Sequence, residues 1–518
     1  MSVYTSPAAD VEIPVTDITS HVLEHAGQHA DKPALIDGPS GRTITYGELA
    51  QSIKALAAGL AARGFQPGDV LAVYMPNVPE YAIAFHGAAS AGGKCTTANP
   101  LYTAGELAHQ LEDSGARFLL TVPPFLEAAT EAAGEAGIEA VFVLGEGEGA
   151  EPFSALLGDP DAAPEVSIDP ENDLAVLPYS SGTTGLPKGV MLSHHNLVAN
   201  IEQSQSALPI GEEDVLVGVL PFFHIYGMQV IMNQGLRNGA TIVTMPRFDL
   251  EQFLGLIEKH GVTRAYVVPP IALALAKHPA IDDADLSSLE TVMSGAAPLG
   301  SELSDAVKTR IGCQVTQGYG LTETSPVTHL APPARTKPGS IGPPLANTEC
   351  RLVDPESGED VGEGVRGELW IRGPQVMRGY LNNEEATTHT VDAEGWLHTG
   401  DVGVVDEDGY FAIVDRLKEL IKFKGFQVAP AELEALIITH PSVQDVAVIG
   451  VPDDEAGELP KAFIVAGEGF EEEVLKEWVA GQVSPQKRIR LVETIEEIPK
   501  AASGKILRRV LKDRESSS

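Results

Sequence analysis

Residues 179–194 read YSSGTTGLPKGVMLSH, a run of Ser, Gly and Thr between two strand-like stretches, with one lysine, Lys188, near its end. Glycine lets a backbone come close to oxygen atoms, hydroxyls donate hydrogen bonds, and a lysine adds a point charge. The wording therefore suits a loop wrapped around a polyphosphate. It is not the GxxxxGK[ST] loop, because residues 182–189 lack a glycine, four residues and then Gly-Lys-Ser/Thr. Outward from the loop, apolar runs alternate with helical patterns. Upstream, residues 46–63 predict a helix rich in Ala and Leu, 70–75 a strand stopped by Pro76, and 80–91 a second helix. Residues 174–179 form a strand leading into the loop, and 215–220, 241–245, 264–268 and 291–293 continue the series. This βαβ rhythm predicts an α/β protein with doubly wound, mostly parallel sheets.

After about Ala331 the texture changes to Pro and Gly punctuation. Asp408-Gly409 between VGVVDE and YFAIVD marks a hairpin, so a β-rich subdomain is expected there. From about Arg416 a compact α+β unit follows, with helices near 431–439 and 471–480 and strands at 446–451 and 462–465. The division expected is a large domain over 1–415 and a small mobile one over 416–518, with a hinge at 415–418.

The 518 residues allow three or four units of ordinary size, or fewer larger ones. At 43% hydrophobic and 21% charged, with 52 Gly and 37 Pro, the chain lies within globular limits. Cys95, Cys313 and Cys350 are scattered, with neither zinc-site nor disulfide-framework spacing, which fits a reducing interior. The net charge of −38 sets the chain against nucleic acid and anionic membranes. Spread along the chain, it suggests a solvated acidic surface adapted to high salt, where the Debye length falls to about 3 Å at about 1 M. The opening MSVYTSPAADVEIPV lacks a basic head and an apolar core, and no apolar run reaches the roughly 18 residues of a membrane span. A soluble cytoplasmic protein is expected, with no integral membrane segment and with monomer and homodimer both open.

The 179–194 loop resembles the phosphate-binding signature of the adenylate-forming superfamily, which holds acyl-CoA synthetases, peptide-synthetase adenylation domains and luciferases. Six further segments match in order. Residues 221–227 (PFFHIYG) resemble the segment bordering the carboxylate pocket of acyl-CoA synthetases, which implies that His224 orients or gates the acid. The aspartate that amino-acid-activating relatives place here is missing, so the substrate is expected to lack an α-amino group. Residues 294–298 (SGAAP) and 317–324 (QGYGLTET) look like the adenine loop and nucleotide signature. The resemblance implies that Gly295, Ala296, Ala297, Gln317, Gly318 and Gly320 make room for the base, that Tyr319 stacks on it, that Thr322 bonds the α-phosphate and that Glu323 holds Mg²⁺.

In residues 395–401 (GWLHTGD) Asp401 matches the ribose-binding aspartate. Residues 415–432 (DRLKELIKFKGFQVAPAE) resemble the hinge, which implies Arg416 at the ribose, Lys422 and Gln427 near the adenylate, and Lys424 and Gly425 along CoA. In residues 499–509 (PKAASGKILRR) Lys505 matches the catalytic lysine of adenylate formation. Ser180, Ser181, Gly182, Thr183, Thr184, Gly185 and Lys188 would cradle the phosphates of ATP, with Thr184 and Lys188 on the β- and γ-phosphates and Thr184 beside Mg²⁺. The implied activity is ATP-dependent ligation of a carboxylic acid to coenzyme A through an acyl-adenylate. A medium or long fatty acid is the substrate expected first; an aryl-propenoate of the coumarate type, and loading of a carrier protein, are the alternatives.

Overall fold

The computed structural model describes residues 2–180, 187–424, 426–453, 455–501 and 504–516. Two eight-stranded sheets, flanked by helices, dominate the large body. In the first, Leu174–Ser180, Lys94–Thr97, Val70–Tyr74, Ala116–Thr121 and Ala140–Val143 run parallel to their neighbours, and Lys188–Ser193 closes back antiparallel on Leu174–Ser180. In the second, Gln314–Gly320, Thr291–Ser294, Arg264–Val267, Val215–Gly218, Thr241–Thr244 and Pro33–Asp37 form the parallel centre, with antiparallel Val327–Leu330 and Thr43–Thr45 at the edges. The central strands read as short runs of Val, Ile, Leu and Ala because both faces are covered. One contiguous apolar core joins the two sheets through residues such as Leu71, Phe85, Val217 and Ile242.

Helix Tyr46–Ala62 starts at Thr45, whose side chain takes the Glu48 amide while Glu48 reaches back, a complete capping box. Its Gly59 is required by packing, since a Cβ there would stand 1.8 Å from the Leu156 carbonyl oxygen. The expected strands and helices of this half are present, with ends shifted by a residue or two.

A five-stranded sheet built of Tyr4–Thr5, Glu349–Val353, Gly367–Arg372, Leu397–Val405 and Phe411–Arg416 is the β-rich subdomain. Its last two strands form the expected hairpin, which sets Asp401 opposite Arg416. Beyond Arg416 lies the small α+β domain, with its own core of Ile421, Val428, Leu433, Val446, Ala462 and Leu475. Arg508 fastens its C-terminal helix Arg508–Ser516, pairing with both oxygens of Glu434 at 2.6–2.7 Å and with Glu419 at 2.9 Å. Asp415 belongs to the large body by strand pairing opposite Val402, yet its Oδ2 accepts the Ala431 amide at 2.8 Å, at the start of helix Pro430–Ile437.

Candidate active site

In parallel α/β sheets, ligands collect beyond the carboxyl ends of the strands, where loops diverge. Four such ends converge here. Leu174–Ser180 ends where residues 181–186 begin, Val215–Gly218 leads to 221–227, Thr291–Ser294 to the SGAAP turn, and Gln314–Gly320 to Thr322 and Glu323. They enclose a cavity of about 570 Å³ lined by Ser180, Lys188, His224, Gly295, Thr322, Glu323, Arg416 and Lys505, among others. A second cavity of about 260 Å³ adjoins it, lined by Ala297, Gln317, Asp401 and the start of the small domain. Ala296, Gly318, Tyr319, Gly320, Arg416 and Lys505 line both.

Strand register brings Lys188 opposite Ser180, so the two strand ends that flank residues 181–186 present a hydroxyl and an ammonium to one cavity. Residues 181–186, including the expected ligands Ser181, Gly182, Thr183, Thr184 and Gly185, lie outside the described residues, as does Gly425. Glu323 is held in place by the Ser180 hydroxyl at 3.0 Å and the Tyr380 hydroxyl at 2.8 Å, both donating to Oε1. The Lys188 ammonium lies over the Tyr380 ring at 4.8 Å. Among the described residues, no three His, Cys, Asp or Glu side chains group as a metal cage. Glu323 still fits Mg²⁺, which binds through one or two carboxylates together with substrate phosphates rather than in an all-protein cage.

Ala296 takes the left-handed conformation at φ 68°, strain that the surrounding turn must hold in place. Gly295 lies against Tyr226, where a Cβ would approach the ring to 2.9 Å. Gly320 backs onto the Pro326 carbonyl oxygen, at 1.9 Å from an added Cβ. All three small residues line the larger cavity.

Asp401 is buried. Tyr319 donates its hydroxyl to Oδ2 at 2.6 Å, and Arg416 stands 3.1 Å from Oδ1. Burial raises the Asp401 carboxyl above its usual range, against the pull of Arg416 and Tyr319. Both oxygens are thus already partnered, so a ribose would have to share or displace these contacts.

The PFFH turn is shaped by buried Asn77, which donates to the Gly218 and Leu220 carbonyls and accepts the Phe222 amide. His224 Nδ1 accepts the Tyr226 amide at 3.3 Å, leaving the ring proton on Nε2. Burial, and then the charge of Lys505, pull its pKa down to about 4, so the ring is neutral near pH 7. A π-helical turn over Tyr226–Asn233 follows, a rare conformation found mostly at functional sites.

Lys505 reaches the cavity on a short turn. Gly504 at φ 78° precedes it, and a Cβ on Gly504 would meet Val268 of the large body at 3.0 Å, so this side of the turn admits glycine alone. Burial, then the Arg416 charge, lower the Lys505 amine to about 8. Lys422, Lys424 and Gln427 are placed differently from the sequence expectation. Lys422 and Gln427 face each other across the hairpin of Ile421–Phe423 and Phe426–Val428, Lys424 sits at its tip, and all three are exposed and line neither cavity. Lys505 is a small-domain ammonium that lines the cavity, while the hairpin presents these three side chains to solvent.

Two partners went unnoticed in the sequence. Tyr380 lies in MRGYLNN, which carries no local mark of chemistry, and Asn77 reads as an ordinary turn residue.

A hydroxyl and an ammonium at Ser180 and Lys188, the pinned Glu323 carboxylate, an apolar slot and the buried Lys505 amine meet in one cavity, an arrangement suited to an enzyme that activates an acid with a nucleotide. The chain belongs to the AMP-binding enzyme family: the family model matches residues 22–381, and that of the AMP-binding enzyme C-terminal domain matches 432–505. It is 45% identical to 4-coumarate–CoA ligase 5 of Oryza sativa subsp. japonica, over 98% of this chain and 97% of that one. It is 44% identical to 4-coumarate–CoA ligase 1 of Petroselinum crispum, over 99% and 97%. Among solved structures, an anthranilate CoA ligase in complex with anthranoyl-AMP superposes with a TM-score of 0.91 at 28% identity, covering 98% of this chain and 99% of that one. The chain is therefore an AMP-forming acid–thiol ligase that uses ATP, Mg²⁺ and coenzyme A. No helix among the described residues is long and apolar enough to cross a membrane.

Proposed function

We propose that the acid is an aryl-propenoate of the coumarate type, joined to CoA through an acyl-adenylate. One observation carries the ligase mechanism: Lys188, at the neck of the phosphate loop, and Lys505, on the small domain, line the same cavity as the acid-facing PFFH turn. The acid end is walled by Phe223, Ile225, Tyr226, Met293 and Val327, with glycine backbone at Gly295, Gly318 and Gly320 making flat surfaces against which a ring can lie. This compact chamber must also take the reacting phosphates. The fatty acid expected first from the sequence gives way on this reading, since the relatives quoted above carry aryl acids in their names and align from end to end.

His224 Nε2 donates to one carboxylate oxygen of the acid and aims the other at the α-phosphorus. That oxygen forms the new P–O bond as the bond to pyrophosphate breaks, giving acyl-AMP. Lys505 neutralises charge on the oxygens between acid and α-phosphate, and Lys188 holds the leaving phosphates; no protein nucleophile takes part. Tyr319, Thr322, Asp401 and Arg416 fix the nucleoside and α-phosphate. Bound Mg²⁺ supplies further neutralisation of the phosphates beside Glu323.

The domains divide at the 415–418 hinge. In the second step the small one swings, withdraws Lys505, brings Lys422 and Gln427 to the adenylate and sets Lys424 along CoA. The CoA thiolate then attacks the acyl carbonyl, forming the thioester as AMP departs. A pyrophosphate-release screen over cinnamic-type acids, benzoates and fatty acids, with and without CoA, tests the reading. Aryl-propenoates should give the highest kcat/KM; fatty acids exceeding them about tenfold, roughly 1.4 kcal/mol, would refute it.

A further inference from the structure

Helix Pro430–Ile437 of the small domain lies between two charges of the large body. At its start the Asp415 carboxylate accepts the Ala431 amide at 2.8 Å, and just past its end the Lys277 ammonium donates to the Ile438 carbonyl oxygen at 3.0 Å. A helix leaves free amides and a partial positive charge at its start, free carbonyls and a partial negative charge at its finish. Both poles of this helix are met by the opposite charge, and each charge comes from across the domain boundary.

Lys277 is the last residue of helix Pro269–Lys277, whose other end also meets the small domain. A Cβ on Gly504 would stand 3.0 Å from Val268 and 3.6 Å from Pro270. At a rise of about 1.5 Å per residue, these two contacts lie about 10 Å apart along one rigid rod. Inside the small domain the path from Ile438 to Lys505 is stiff as well. Glu434, within the helix, binds Arg508 with both oxygens at 2.6–2.7 Å, and Arg508 stands three residues beyond Lys505. The Lys505 turn is closed by the Ala501 amide on the Lys505 carbonyl and the Leu507 amide on the Pro499 carbonyl, each at 2.8 Å. A tilt of the helix would therefore be passed on to the Lys505 amine. Lys277 itself is exposed, so removing its ammonium strands no buried charge.

Resting on the ligase reading above, we propose that Lys277 is a positioning residue for adenylate formation. It seats the small domain so that Lys505 reaches the cavity, and it acts in that half-reaction alone.

The experiment compares Lys277→Met, Lys277→Arg and Lys277→Glu with the unaltered chain in two assays: pyrophosphate release with saturating acid and ATP and no CoA, and thioester formation from supplied acyl-AMP and CoA. Lys277→Met should slow pyrophosphate release about tenfold, equivalent to about 1.4 kcal/mol for one charged hydrogen bond, with the KM for ATP and for acid within about twofold. Lys277→Glu should be slower still, because it sets a carboxylate against the negative end of the helix. Lys277→Arg, which keeps the cation, should stay within about threefold of the unaltered chain. Thioester formation from acyl-AMP should be unchanged or faster in all three. An unchanged Lys277→Met rate, equal losses in both assays, a loss confined to KM, or Lys277→Arg no better than Lys277→Met overturns the role of Lys277 and leaves the ligase reading standing. Absence of pyrophosphate release from the unaltered chain with every acid overturns both.

Discussion

Replacing Lys505 by Arg and by Ala, and following each variant across pH, isolates the amine that lies between the two cavities. Burial and the neighbouring Arg416 charge set this amine to about 8 in the free enzyme, with Glu419, Asp401 and Arg508 acting on it in both directions. The ammonium is the useful form, so the activity it supports is present below that value and is lost as pH rises through it. From about pH 7 to about pH 9 the protonated fraction falls from about 90% to about 10%, so kcat/KM for ATP should fall roughly ninefold. Bound triphosphate favours the cation, so the descending limb of kcat should lie at higher pH than that of kcat/KM. Pyrophosphate release with saturating acid and no CoA is the assay, because the CoA thiol titrates in the same range. Lys505→Arg should keep activity flat to about pH 10, and Lys505→Ala should lower it by about 10² or more while removing the limb. Conversion of supplied acyl-AMP and CoA to thioester should survive both changes. A limb near pH 8 that persists in Lys505→Arg, or equal damage to both half-reactions, would refute the assignment.

Other perturbations read different parts of the molecule. Gly295→Ala pushes a methyl group to within 2.9 Å of the Tyr226 ring and should lower kcat/KM for the acid about tenfold with the ATP KM within about twofold; a selective loss for ATP would instead put Gly295 at the base. Arg508→Met leaves Glu434 and Glu419 without their cation and should cost about 3–5 kcal/mol in denaturant unfolding of the small domain, because carboxylates buried alone are expensive; a loss below about 1 kcal/mol would show the cluster to be loosely held. With a net charge of −38, the thermal midpoint should climb with KCl as the Debye length shrinks from about 10 Å at about 0.1 M to about 3 Å at about 1 M; a midpoint indifferent to salt would remove the case for adaptation to high salt.

The sheets were legible in the sequence because their strands are short apolar runs at βαβ spacing, and Thr291–Ser294 or Val215–Gly218 end within two residues of the expected point. The site was legible where chemistry and turn wording coincide: Lys188, Glu323, Asp401 and Lys505 each stand at a cavity. What escaped depends on distance along the chain. Tyr380 meets Glu323 across 57 residues, and Asn77 reaches Leu220 across 143. Periodicity is blind to such pairings. Lys422 and Gln427 escaped for another reason: residue types mark the hairpin but do not say which way it faces relative to the cavities. The acid's identity was the least legible feature, since its walls come from segments around Phe223, Met293, Gly318 and Val327 that no local pattern links.

The Asp415 carboxylate, anchored in the sheet of one body and holding the Ala431 amide of the other, makes the joint behave as a detent rather than a free pivot. On the proposed swing, each turnover would unseat this bond before the small domain turns and reseat it afterwards. A bond to an ionised group is worth about 1.5–3 kcal/mol, and that quantity sets the dwell time in the state with Lys505 engaged. Shortening or neutralising that one side chain, which lines the smaller cavity beside Arg416, would on that swing retime the whole cycle.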